Sequence, residues 1–318
     1  MAGEARVVRS PGPPFPILPP MEDIAGGRLS RLAAFTTDPS GGNPAGVWIG
    51  PTLPDAAVMQ SIATEVGYSE TAFLSPSETG TPGEYRVRYF SPLAEVAFCG
   101  HATIASGVAL GERPVEGARS DSVAGFVLVT NDGPVTVDVE PDSDGRPRAT
   151  LTSIETWVRE PESWLLAGAL ELLGWGRDEL DPELPPAVAF AGVRHLVLAA
   201  ARYERLETLD YPFEPLKALM LQAELTTIQL VWRESPERFR ARDPFPVGGQ
   251  VEDPATGAAA AALGAYLRHL GEVVPPATFE ILQGVEMGRP SRLTVTLVEG
   301  QDGVRVTGNA VAIEPLAL

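Results

Sequence analysis

Two stretches of this chain are helical in pattern yet have no polar face, and they restrict the fold more than any other feature. Ala102-Thr103-Ile104-Ala105-Ser106-Gly107-Val108-Ala109-Leu110 is small and uncharged all round, and so is Ala258-Ala259-Ala260-Ala261-Ala262-Leu263-Gly264-Ala265. A helix lying on a sheet turns one polar side to solvent. A helix without that side must be enclosed, and side chains this small let strands approach from every direction. Each stretch therefore predicts a helix threaded through a curled sheet. The uncharged run Pro254 to Leu267 falls short of the roughly 20 apolar residues of a membrane span, so it reads as core.

Around these helices the chain alternates in short strand-like runs. Leu32 to Phe35, Ala45 to Ile49, Arg86 to Phe90, Phe126 to Thr130 and Val135 to Val139 precede a Pro, Asp and Gly cluster at Pro141 to Pro147. Gly192 to Ala199, Thr227 to Trp232, Thr278 to Gln283, Arg292 to Val298 and Val304 to Ile313 follow it. Further helices are predicted at Asp55 to Val66, Pro161 to Leu173 and Glu214 to Leu225, and the second apolar helix at Pro254 to Leu270. The expectation is an α+β protein of two similar halves, 28–145 and 146–318, with the last strand free to cross to the first half. Residues 1–27, rich in proline and without periodicity, read as a mobile leader with Met21 as a candidate start.

Composition removes several function classes. A formal charge of -18 repels polyanions, so nucleic acid is not an expected partner. Cys99 is the only cysteine, which excludes intramolecular disulfides, thiolate-rich zinc sites and two-thiol redox chemistry and points to a reducing, cytoplasmic setting. Lys217 is the only lysine and lies in an ordinary amphipathic helical pattern, leaving Schiff-base chemistry one poor candidate. The three histidines are scattered, and no ligand pair has metal spacing, so no metal is expected.

Chemistry can sit in three places. Glu252-Asp253-Pro254-Ala255-Thr256-Gly257 opens the second apolar helix, with Asp253 as the expected N-cap and Pro254 at the first helical position. A capped Asp is held as the anion, with its pKa lowered, and the small residues after it leave N–H groups open to a substrate carboxylate. A good cap and nothing more is the plainer reading. Phe98-Cys99-Gly100-His101-Ala102-Thr103 places His101 at the entrance to the other helix, as acid, base or simply a satisfied helix-end residue. His195 in a strand and His269 at a helix end read as structural. Gly67-Tyr68-Ser69-Glu70-Thr71-Ala72 leads Glu70 into a buried strand, where a desolvated carboxyl suits proton exchange near neutrality.

With Gly42-Asn43-Pro44-Ala45-Gly46-Val47, Phe90-Ser91-Pro92 followed by Glu95, and Gln283-Gly284 with Met287-Gly288-Arg289-Pro290-Ser291, these blocks stand in an order that resembles the PhzF family of phenazine-biosynthesis-type isomerases, relatives of diaminopimelate epimerase. The resemblance runs from about residue 29 to the end. It implies two halves, each a curled, mostly antiparallel sheet around a central helix, with the active site in the cleft between them, and a homodimer. It also implies a cofactor-independent isomerase acting on a small carboxylated metabolite, with Glu70 as general acid/base and His101 and Asp253 sharing in positioning and proton transfer. Asn43, Ser69, Gly100, Thr256, Gly257 and Ala258 would bind substrate. Phenazine-forming members resemble Asp-Pro-Ala-Thr-Gly-Ser, so Ala258 removes a hydroxyl donor and puts their dihydro-hydroxyanthranilate substrate in doubt. Cys99 lies where two-cysteine epimerases carry a base, but with no second thiol it reads as a small packed residue.

Two other functions compete. A serine hydrolase could begin from Gly67-Tyr68-Ser69-Glu70, but Thr71 stands where the nucleophile elbow needs its second glycine. A catalytically silent metabolite-binding or scaffold protein of the same fold would have no reason to keep the Glu, His and Asp set.

Overall fold

The computed structural model describes residues 22–112 and 123–314. Its first part runs β1 (Glu22–Ile24), β2 (Gly27–Ala34), β3 (Asn43–Ile49), α1 (Ala56–Val66), β4 (Glu70–Pro76), β5 (Glu84–Phe90), β6 (Glu95–Val96), α2 (Gly100–Gly111), β7 (Ala124–Thr130), β8 (Gly133–Pro141) and β9 (Pro147–Thr152). The remainder is β10 (Trp157–Arg159), α3 (Ser163–Leu173), β11 (Ala187–Phe190), β12 (Arg194–Ala199), α4 (Tyr203–Glu207), α5 (Phe213–Gln222), β13 (Thr227–Ser235), β14 (Arg238–Pro244), β15 (Glu252–Asp253), α6 (Gly257–Leu270), β16 (Ala277–Gln283), β17 (Ser291–Leu297) and β18 (Val304–Ala312). This is an α+β architecture.

Strand pairing follows the same sequence twice. From β2 the ladder passes antiparallel to β3, parallel to β4, antiparallel to β5, parallel to β7, then antiparallel through β8 to β9. From β11 it passes in the same alternation through β12, β13, β14, β16 and β17 to β18. β18 also pairs with β9 and β2, so it closes the first circuit into a ring and joins it to the second.

α2 runs inside the first circuit and α6 inside the second, and both are buried nearly throughout. Their glycines set the approach distance. A Cβ at Gly107 would stand 2.6 Å from Val137 Cγ1, and one at Gly264 would stand 2.8 Å from Val304 Cγ1. The absence of a polar face is thus explained by strands on every side.

Three boundaries differ from expectation. Of the expected leader, 1–21 lie outside the described residues, but Glu22–Ile24 pairs with the start of β2 in a tight hairpin. The 145/146 division falls in the β8–β9 turn, yet β9 pairs with β8 and packs on α2, so the first circuit extends past it. α6 begins at Gly257 rather than Pro254. Proline has no N–H and holds the residue before it extended. Asp253 accordingly stays in β15, paired with Asp243 of β14, and Thr256 becomes the N-cap.

Candidate active site

The site lies where the N-termini of α2 and α6 meet. A Cβ at Gly100 would come within 3.3 Å of Gly257 Cα and 3.4 Å of Ala258 N, so two helix ends that each carry a partial positive charge touch through bare backbone. α1 delivers the third element. It buries Met59, Ile62, Ala63 and Val66 along one stripe and ends at left-handed Gly67, whose N–H bonds Ala63 O. The chain then turns into β4 with Ser69 and Glu70 at its mouth.

Glu70 Oε2 lies 3.5 Å from His101 Nε2, and the Cys99 thiol approaches the same oxygen at 3.5 Å. Ser69 Oγ is 3.2 Å from His101 Nε2, and Cys99 Sγ is 3.3 Å from His101 Nδ1. Across the helix junction, Asn43 Nδ2 donates to Asp253 Oδ1 at 2.8 Å and Thr256 Oγ1 donates to Asp253 Oδ2 at 2.6 Å. Gln283 binds the turn from behind, donating to Asp253 O at 2.8 Å and accepting from Thr256 N at 3.1 Å. Glu70, His101 and Asp253 are near enough that the first two perturb the titration of the third. Asn43, Ser69, Gly100, Thr256, Gly257 and Ala258 all gather in this region.

The electrostatics correct the expectation for Asp253. Burial pushes its pKa up to about 6; the His101 charge and the Thr256 bond pull it down, Glu70 pushes it up, and the Asn43 bond pulls it down. The lowered pKa of a helix cap does not arise, because Asp253 is in a strand and not at the helix end. Cys99 is buried in the hydrophobic core, as expected of a packed residue, and its thiol also touches Glu70 and His101. Burial and the Glu70 carboxylate push its thiol well up, so it sits in the cluster as the neutral S–H. His195 is buried, accepts or donates at Nδ1 with Thr227 Oγ1 at 2.8 Å, and is pushed down to about 3 by burial. His269 is exposed at the end of α6.

Glu70, Cys99 and His101 bring three potential ligand atoms within 4.8 Å of one another, a grouping that linear spacing did not reveal. Zinc would need the thiolate, which burial and the Glu70 carboxylate oppose here, and a further ligand beyond these three. Among the described residues no helix is long and apolar enough to cross a membrane.

A duplicated ladder around two buried helices, with carboxyls at their joined ends, defines an epimerase-like fold. A family profile described as phenazine biosynthesis-like protein, PhzC-PhzF, matches residues 32–315. The chain is 30% identical over 291 residues to an uncharacterized isomerase of Bacillus subtilis, covering 89% of this chain and 96% of the relative. It is 32% identical over 291 residues to the trans-2,3-dihydro-3-hydroxyanthranilate isomerase of Pseudomonas aeruginosa, covering 90% and 96%. The crystal structure of a PhzF-family protein from Bacillus anthracis superposes with a TM-score of 0.76 at 23% identity, covering 90% of this chain and 96% of that one. A hydroxyproline epimerase from Agrobacterium vitis shares the fold at a TM-score of 0.61 and 17% identity, covering 90% and 92%. The chain belongs to the PhzC-PhzF family and is an isomerase.

Proposed function

We propose that this isomerase moves a proton within a small carboxylated metabolite, without a cofactor, using Glu70 as the proton carrier. The observation that carries the reading is the Glu70 contact set: only Oε2 engages His101 and Cys99, which leaves Oε1 for substrate. Asp253, by contrast, has both carboxyl oxygens committed to Asn43 and Thr256. The substrate carboxylate docks at the joined helix ends, on the N–H groups of the first turns of α2 and α6. Glu70 takes the proton from one carbon and gives it back at the position that completes the isomerisation, while Asp253, held by Asn43 and Thr256, orients the substrate. His101 holds Glu70 and Ser69 in place.

Hydrolysis by Ser69 has less support. A Ser–His pair needs an acid on the far ring nitrogen, and His101 Nδ1 faces the Cys99 thiol instead. The dihydro-hydroxyanthranilate named for the Pseudomonas relative is the first substrate to test, with other unsaturated or hydroxylated acids beside it.

Incubation in D2O with mass-spectrometric readout decides the matter. Wild-type protein should wash deuterium into the substrate and its isomer, with EDTA making no difference. Glu70→Gln should lose at least about a hundredfold in turnover, the lower end for a missing acid/base, with ligand binding nearly kept. Undiminished incorporation by Glu70→Gln, with Asp253→Asn abolishing it, would transfer the role to Asp253.

A further inference from the structure

The hairpin between β16 and β17 joins the two circuits beside Asp253. It starts at left-handed Gly284, whose carbonyl accepts from Met287 N at 3.2 Å and Arg289 N at 2.9 Å. Its base is pressed against the site. A Cβ at Gly284 would stand 2.7 Å from Pro254 O, and Gln283, one residue earlier, donates to Asp253 O at 2.8 Å. From that base Arg289 reaches across to the first circuit, with Nε donating to Gly42 O at 2.8 Å and Nη2 to Gly41 O at 2.7 Å. Gly42 N answers by donating to Pro290 O at 3.1 Å.

Arg289 thus holds the segment that delivers Asn43. Two adjoining glycines leave the backbone unusually free to turn, and Gly42 is left-handed at a φ of 67°. Asn43 follows directly and is buried, and its amide nitrogen donates to Asp253 Oδ1 at 2.8 Å and to Ala255 O at 3.0 Å. The contacts close a circle from Asp253 through Gln283, Arg289, Gly42 and Asn43 back to Asp253. A guanidinium is a rigid planar fork, so its grip on two successive carbonyls sets their direction as well as their distance. Both carbonyls are neutral, and among the described residues no carboxylate pairs with Arg289, so neutralising an acid does not explain its place.

The other copy of the ladder lacks this grip. β11 and β12 correspond to β2 and β3, and β7 and β8 correspond to β16 and β17, so the equivalent turns are 191–193 and 131–132. A cavity lies between them, lined by Thr130, Asp132, Gly133, Ala191 and Gly192 among others. One seam between the circuits is open and the other is clasped, and the clasped seam carries Asn43 and Asp253. Joining two such circuits does not in itself demand a clasp.

We propose that Arg289 is a positioning residue for the isomerase site: its two-pronged grip on Gly41 and Gly42 aims the Asn43 amide at Asp253. The proposal rests on Asp253 belonging to the site put forward above. Without the grip the two glycines turn more freely and the amide loses its bearing on Oδ1, while α2 and α6 stay packed in their circuits.

Nitrogen-15 NMR of the Asn43 side-chain amide in the intact protein tests this, with the signal assigned by its loss in Asn43→Ala. Arg289→Met keeps the length of the side chain and removes its donors. It should speed solvent exchange of the Asn43 amide protons at least about tenfold, the effect of one lost hydrogen bond from a charged donor, with backbone exchange inside α2 and α6 unchanged. Arg289→Lys keeps the charge without the fork and should fall with Met. Turnover, read by deuterium incorporation, should drop about tenfold in Arg289→Met but less than about twofold when Asn43 is already alanine, because the two residues act in series. An unchanged Asn43 exchange rate overturns the proposal, and so does equal acceleration throughout α2 and α6, which marks a purely structural role. Full recovery by Arg289→Lys, or additive losses of turnover, overturns it as well. If the Met variant does not fold, the Lys variant carries the same measurements. A failure of the isomerase reading shows separately, as full turnover in Asn43→Ala with the exchange rates still split as described.

Discussion

The same ion pair occurs in both circuits at the same place, and its two copies should differ sharply in what they are worth. Arg242 grips Glu252 with Nε to Oε1 at 3.0 Å and Nη2 to Oε2 at 2.6 Å. Arg88 grips Glu95 in the same two-pronged manner, at 2.8 and 2.6 Å. Their surroundings are unlike. The Arg242 and Glu252 side chains are 9% and 3% exposed, against 24% and 29% for Arg88 and Glu95. Removing one partner of a buried pair typically costs 3–5 kcal/mol, because the other charge is left unneutralised. Arg242 Nη1 also donates to Glu207 O at 2.8 Å and Leu206 O at 3.3 Å, which keeps the stranded guanidinium partly satisfied. Glu252→Gln should therefore lose about 3 kcal/mol, the low end of that range. Glu95→Gln, in the wetter pair, should lose about 1 kcal/mol or less.

Urea unfolding followed by circular dichroism measures both, with the two variants compared at unchanged slope. Because β15 is only Glu252–Asp253, loss of the buried pair should also loosen Asp253 and lower turnover, whereas Glu95→Gln should barely affect it. A combined Arg242→Met, Glu252→Leu variant should recover most of the stability, since it removes both desolvated charges together. Equal losses from Glu252→Gln and Glu95→Gln would refute the reasoning from burial.

His195 should set part of the acid sensitivity. Its folded pKa of about 3 lies below the ordinary 6.5 of a histidine, so the unfolded chain takes up a proton first and stability is lost as pH falls from 6.5 toward 3. Between pH 7 and 5 that amounts to about 2 kcal/mol, which urea midpoints should show in wild type and not in His195→Gln. Asp253, raised to about 6, works the other way: the native state keeps a proton that the unfolded chain has released, so its contribution declines as pH rises from 3.8 to 6. Ala258→Ser, which restores a hydroxyl at the first turn of α6, should raise activity on dihydro-hydroxyanthranilate by roughly fivefold to tenfold, the worth of one added hydrogen bond. No gain, in a variant that still binds the acid, would mean that this position does not contact the substrate.

The two enclosed helices were legible because a helix lacking a polar face has only one kind of environment available to it. Glu70 was legible for a related reason, standing at the edge of an apolar strand behind a left-handed glycine. What escaped was information that local sequence does not carry. The position of β18 between β9, β17 and β2 depends on pairings across most of the chain. Asp253-Pro254 satisfied the local rule for a cap followed by proline at the first helical turn. The extended backbone before proline and the partner strand β14 prevailed over that rule. Asp243, Gln229 and His195 sit in runs that otherwise read as apolar strands, and only the cross-strand register brings them into one buried patch beside Asp253.

The repeated ladder also separates what the fold requires from what the chemistry requires. Glu95 precedes Gly100 by the same spacing that places Glu252 before Gly257, and each Glu is clamped by an Arg on the preceding strand. Features present in both copies, the clamp and the bare glycine where the helices touch, belong to building two helix ends into one junction. Features present in only one copy carry the asymmetry a reaction needs. The first circuit brings His101 and Glu70, which meet at Glu70 Oε2; the second brings Thr256 and Asp253, a carboxyl enclosed by donors and pushed up to about 6. A proton carrier and the groups that would orient a substrate around it must differ in environment while lying within reach of the same small molecule. Two similar sheets meeting at their helix ends supply that difference, because each can vary its own strand residues without disturbing the backbone that joins them.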